Sequence, residues 1–91
     1  MNETNFINAM KPFFDKLDIN ELSFHYNEEL NSFISDQTFV YEDEPIEFMM
    51  VVKIFKNIGT VVIGQSDGIN FIEYKTIGQI EFVNEKWENM L

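Results

Sequence analysis

The sequence predicts an α+β domain in which two short N-terminal helices with an intervening strand pack on a four- to five-stranded, mainly antiparallel sheet. Apolar residues recur at helical spacing over residues 5–17 and again over residues 27–34. Between these stretches, and through most of the chain after residue 38, they alternate with period two, as half-buried strands do. Gly, Asn and Asp break the later strands at hairpin distances. Residues 1–91 read as one domain, whose ten Phe, three Tyr and single Trp supply core area that a chain this short otherwise lacks.

The first helix spans Asn5 to Leu17. Phe6, Ile7, Met10, Phe13, Phe14 and Leu17 form one apolar stripe. Pro12 lacks an N–H and crowds the carbonyl of Asn8, so a kink is expected near Lys11. A strand follows, with Leu22, Phe24 and Tyr26 on one side and Glu21, Ser23 and His25 on the other. The period then changes. Asn27 is a capping residue, Glu28 and Glu29 suit the positive end of a helix, and Leu30, Phe33 and Ile34 fall at i, i+3, i+4. A second helix is therefore expected to open at Asn27.

Thr38 to Tyr41 reads as a short strand of β-branched and aromatic residues. Glu42, Asp43, Glu44 and Glu47 surround Pro45 in an exposed turn. Ile46 to Lys56 is the strongest strand: Phe48, Met50, Val52 and Ile54 share one face, while Met49, Val51 and Phe55 load the other. That double loading predicts a central strand covered at least partly on both sides. Asn57-Ile58-Gly59 is expected to turn the chain into Thr60–Gly64, and Ser66-Asp67-Gly68 into Ile69–Tyr74. Gly78 then marks a turn or bulge before a last strand, Gln79–Val83. Asn84 to Leu91 reads as a helical turn that brings Trp87, Met90 and Leu91 against the sheet.

Charge narrows the function. Sixteen acids oppose six basic residues, all Lys, for a net charge of −10. Up to Glu47 there are eleven acids and two Lys; after it, five acids and four Lys. The excess is concentrated in the N-terminal half, as a charged binding face would require. Direct nucleic-acid binding and docking on an anionic membrane both need Lys/Arg clusters, which are missing. The expected partner is a protein with a basic surface.

Catalytic chemistry is scarce. The chain has no Cys and one His, so neither a thiolate nucleophile nor a familiar triad can be assembled. His25 reads as a hydrogen-bonded surface residue. Glu42, Asp43 and Glu44 lack the alternating oxygens and the Gly of a calcium loop, and the glycines are spaced as turn residues rather than as a phosphate loop. No enzyme activity, cofactor or metal is expected. No apolar run approaches the roughly 20 residues that span a bilayer, and the N-terminus lacks a signal-peptide pattern. A soluble, cytoplasmic protein is the expectation. Carboxylates held on regular elements can, however, stand in for phosphates toward the donors that normally grip a nucleic-acid backbone.

The element order and the stretch Asn20–Asp36 resemble the phage-encoded uracil-DNA glycosylase inhibitors, small acidic DNA mimics that evade a host defence. The resemblance implies an inhibitor that lays the edge of its first strand in the enzyme's DNA groove. Glu21 and Ser23 on that strand, with Glu28 and Glu29 at the start of the second helix, would replace phosphate contacts. Leu30, Phe33 and Ile34, with Val40, Met50 and Val52, would line a pocket for the apolar side chain that base-flipping enzymes wedge into DNA. This chain departs from the family in placing Leu22 between Glu21 and Ser23, in Pro12, and in its extra C-terminal strand. The same charge logic also fits an anti-CRISPR, anti-restriction or nuclease immunity protein. A third reading is a structural or chaperone-like module that pairs through a sheet edge or the Trp87 tail.

Overall fold

The computed structural model describes residues 3–43 and 45–90. It contains one helix, α1 (Phe6–Leu17), followed by seven strands: β1 (Phe24–Asn27), β2 (Ser32–Ser35), β3 (Phe39–Val40), β4 (Glu47–Phe55), β5 (Ile58–Ser66), β6 (Phe71–Val83) and β7 (Lys86–Asn89). All pair antiparallel in one sheet of order β1-β2-β4-β5-β6-β7, with β3 beside β4 beyond the end of β2. The architecture is mostly β. The two-helix, four- to five-stranded arrangement that the sequence predicts is corrected on both counts.

α1 forms where the apolar stripe predicts and runs unbroken through Pro12. It ends at Asp18, whose left-handed backbone (φ 56°) lets the N–H of Ile19 reach back to Phe14 C=O at 3.0 Å. Phe6, Ala9, Met10, Phe13 and Phe14 pack on one sheet face, against Phe33, Met50, Val52, Val61, Ile63, Ile80 and Trp87. The Phe6 and Phe33 rings stack with centroids 4.0 Å apart, and Trp87 meets both edge-on.

The second helix is absent because residues 27–32 close a hairpin. Asn27 does cap, its Oδ1 accepting from Leu30 N–H at 3.0 Å, but it caps a single turn. Asn31 then takes a left-handed conformation (φ 48°) and reverses the chain into β2. In β2, Phe33 faces the core while Ile34 faces the opposite side, which the i, i+3, i+4 pattern cannot distinguish from a helix turn.

Three later boundaries are also corrected. The β4–β5 turn is Lys56-Asn57, so Ile58 and Gly59 already belong to β5. Gly78 marks a bulge, as one of its two expected roles, but not a boundary: it lies within a continuous thirteen-residue β6, whose register with β5 shifts twice, leaving Ile77 and Tyr74 as the extra residues. The tail is not helical: Asn84 and Glu85, at φ 53° and 66°, form a two-residue hairpin into β7. That hairpin buries Trp87, so the tail offers no aromatic docking surface. Within the acidic turn after β3, Glu44 lies outside the described residues, as does Leu91. No helix among the described residues is long and apolar enough to cross a membrane.

Candidate functional site

β1 is one edge of the sheet. The N–H of Asp36 donates to Ser23 C=O at 2.8 Å, so positions 23 and 36 lie opposite each other in a hydrogen-bonded register. By the alternation of an antiparallel ladder, His25/Ile34 and Asn27/Ser32 are bonded pairs too. The backbone groups of Phe24 and Tyr26 therefore point away from β2.

Carboxylates flank this edge. Glu21 is exposed just before β1, at the rim of a depression it shares with Asp18, Leu22 and Gln37. Glu28 and Glu29 are exposed in the β1–β2 loop beside Tyr26 and Asn27. The four-residue strand β1 lies between Glu21, three positions before it, and Glu28, directly after it. Asp36, held across from Ser23, accepts from His25 Nδ1 at 2.6 Å and from Ser23 Oγ at 2.9 Å. These two donors, His25 first and Ser23 second, hold the Asp36 carboxyl below the usual carboxylate range. Gln37 fastens the cluster, donating from Nε2 to Ser23 Oγ and accepting from Ser23 N–H through Oε1, both at 2.8 Å. Ser23 therefore serves Asp36 rather than standing free for a partner.

The apolar half of the predicted site is divided by the sheet. Phe33 and Met50 are 0% exposed beneath α1, and Val52 is sealed with them. No pocket between a second helix and the sheet exists for them to line. Leu30 is 63% exposed on the β1–β2 loop, and Val40 is exposed on β3. Ile34 faces away from α1, alongside Met49 and Val51. The sequence suggests at least partial cover for this second face of β4, and Val51 there is buried, but the one helix among the described residues packs on the other side.

What the uncovered face carries is a groove of about 480 Å³, lined by Ile34, Met49, Val51 and Phe71, with Leu30 and Ile69 among its remaining walls. Beside it, a Cβ on Gly64 would run into the backbone carbonyl oxygen of Ile72 and stand 2.7 Å from the tip of the Phe71 ring. Lys53 and Glu73 bridge from β4 to β6 at 2.5 Å, across β5 and over Val62, which is 1% exposed. Of the groove residues, Val51, Ile69 and Phe71 are not among the binding residues the sequence suggests. The signal in the sequence is the doubly apolar pattern of β4. No family model, curated protein or solved structure matches this chain.

Proposed function

We propose that this protein binds the basic, nucleic-acid-binding surface of another protein and competes there with DNA, uracil-DNA glycosylase being the target that the sequence resemblance puts first. The observation that carries the reading is the set of carboxylates around the edge strand β1, with Glu21 before it, Glu28 and Glu29 in the loop after it and Asp36 held across from Ser23, in a chain of net charge −10. Four carboxylates offer the negative charge and acceptor oxygens that a basic groove meets on a nucleic-acid backbone, without matching every contact. Inhibitors of other nucleic-acid enzymes, or of nuclease toxins, would use the same residues. The helix-lined wedge pocket that the resemblance implies forms no part of this reading.

The test is uracil excision from DNA at moderate salt, titrated with this protein. Stoichiometric inhibition that Glu21→Lys and Glu28→Lys each weaken at least tenfold, with the fold retained, is the expected result, because a like charge facing a basic groove costs several kcal/mol. No inhibition at large excess eliminates the glycosylase as target. Inhibition that survives both reversals eliminates the carboxylate edge.

A further inference from the structure

The sheet face opposite α1 carries a second feature that charge alone does not explain. Two hairpin tips stand beside the groove, and each uses the same device. In the β1–β2 loop, Asn27 Oδ1 accepts from the N–H of Leu30 at 3.0 Å. In the β5–β6 loop, Asp67 Oδ1 accepts from Ile69 N–H at 2.9 Å and Asn70 N–H at 2.7 Å. Each capped turn stiffens a loop whose large apolar side chain projects into solvent: Leu30 is 63% exposed and Ile69 is 89% exposed. Both line the groove whose floor is Ile34, Met49, Val51 and Phe71. A large aliphatic side chain left in water on a braced turn gains nothing for the fold, whereas its burial against a partner is favourable.

We propose that this groove, with Leu30 and Ile69 as its two jaws, docks a cationic amphipathic segment of a protein partner, the segment's apolar side lying on Ile34, Met49, Val51 and Phe71. The argument for the partner's charge is complementarity, and in that respect it rests on the acidic-surface reading above. Glu28 and Glu29 precede Leu30 in the chain, and Asp67 lies two residues before Ile69, so acids stand at both ends just outside the groove lining. The Asp67 carboxyl is held below the usual range by the backbone N–H groups of Asn70 and Ile69, so it stays anionic. Lys53, the one cation lining the groove, is engaged by Glu73. A second copy of this chain would bring the same acids against one another at net −10 each, and an anionic lipid surface would be repelled likewise. The volume lies within the roughly 300–1,000 Å³ of ordinary ligand sites, and helix-in-groove docking by i, i+3, i+4 anchors is an established way to fill such a shape.

The experiment uses the whole protein and a Leu/Lys peptide of about four helical turns with its leucines on one face, titrated by amide and methyl NMR and by fluorescence anisotropy. A peptide of the same composition with scattered leucines is the control. Expected shifts centre on Leu30, Ile34, Met49, Val51, Ile69 and Phe71, and the control binds at least tenfold more weakly. The decisive variant is Leu30→Asp combined with Ile69→Asp, both at exposed loop positions. It adds two acids, so attraction by charge alone makes the cationic peptide bind more tightly, whereas docking in the groove makes it bind at least tenfold more weakly. Tighter or unchanged binding, with shifts at Glu21 and Asp36 instead, overturns the groove and leaves the acidic edge standing. Groove binding in a protein that fails to inhibit excision leaves the groove standing and removes the glycosylase. A concentration-dependent dimer that the same double variant dissolves assigns the face to a second copy and overturns the proposal.

Discussion

The ring of Phe13 lies in the space that a side chain at position 78 would need. A Cβ built on Gly78 would stand 2.7 Å from Phe13 Cζ and closer still to Cε1. This contact seats the middle of α1 on β6, next to the register shift that leaves Ile77 as an extra residue. Phe13 is fully buried and has little room to retreat. Gly78→Ala should therefore destabilise by about 1–3 kcal/mol through overpacking. In a Phe13→Leu background the same substitution should cost less, and a double-mutant cycle from denaturant melts reads the difference as coupling. Additive effects would mean the ring moves aside freely.

Ser35 and Ser32 are both buried on β2, yet they should respond differently to truncation. Ser35 Oγ accepts from the buried N–H of Met50 at 2.9 Å and donates to Gln37 C=O at 3.0 Å. Ser35→Ala leaves that N–H without its partner, a loss of about 1–3 kcal/mol. Ser32 Oγ only donates, to the C=O of Leu30 at 2.9 Å, and Leu30 is open to water. Ser32→Ala should cost about 0.5–1.5 kcal/mol. Chemical denaturation of the two single variants gives the ranking, and the reverse order would contradict it. Hydrogen exchange at Met50 should accelerate only in the Ser35 variant.

Glu85 sits at φ 66° in the two-residue turn between β6 and β7, beside Asn84 at φ 53°. A left-handed conformation costs an ordinary L-residue about 1–2 kcal/mol, and Asn-Gly is the favoured pair for such a turn. Glu85→Gly should raise stability by roughly 0.5–1 kcal/mol once the extra freedom of the unfolded glycine is offset. The gain would appear as a higher Tm at unchanged denaturant slope. A loss instead would show that Glu85 makes a stabilising contact worth more than its backbone strain.

The sequence reveals α1 and β4 because each has a single strong period. The helix stripe runs from Phe6 to Leu17, and Phe48, Met50, Val52 and Ile54 fall on one face of a strand. It misleads at Leu30, Phe33 and Ile34, where one apolar residue sits on a loop, one in the core and one on the opposite face. Their spacing imitates a helix because both faces of β2 are used. Eight residues make barely two helical turns, too few to outweigh a hairpin that stacks Phe33 on Phe6. Asn at both 27 and 31 was the local clue, one residue able to cap and the other tolerant of positive φ. The tail misleads similarly, since Asn84-Glu85 carries no glycine to announce a hairpin. For the site, Glu21, Glu28 and Glu29 are legible as exposed acids. Asp36 is not, because its place beside Ser23 and His25 depends on the β1–β2 register.

That register makes Asp36 the group whose titration should report on the β1 edge. His25 Nδ1 and Ser23 Oγ favour the charged carboxylate, so the folded-state pKa lies below that of the unfolded chain. The stability this provides is fully present above the unfolded value and is lost as pH falls through the folded value. Asp36→Asn should accordingly be less stable than the parent at neutral pH, and the two should converge once the pH drops below the folded Asp36 pKa. Carboxyl ¹³C NMR should find Asp36 titrating below the ordinary Asp range. His25→Ala should move that midpoint up further than Ser23→Ala does, because the imidazole is the larger of the two influences. An Asp36 that titrates in the ordinary range would mean that the Ser23–Asp36–His25 cluster is not held in solution. The set of carboxylates around β1 would then lose its one fixed member, leaving Glu21, Glu28 and Glu29 as mobile charges.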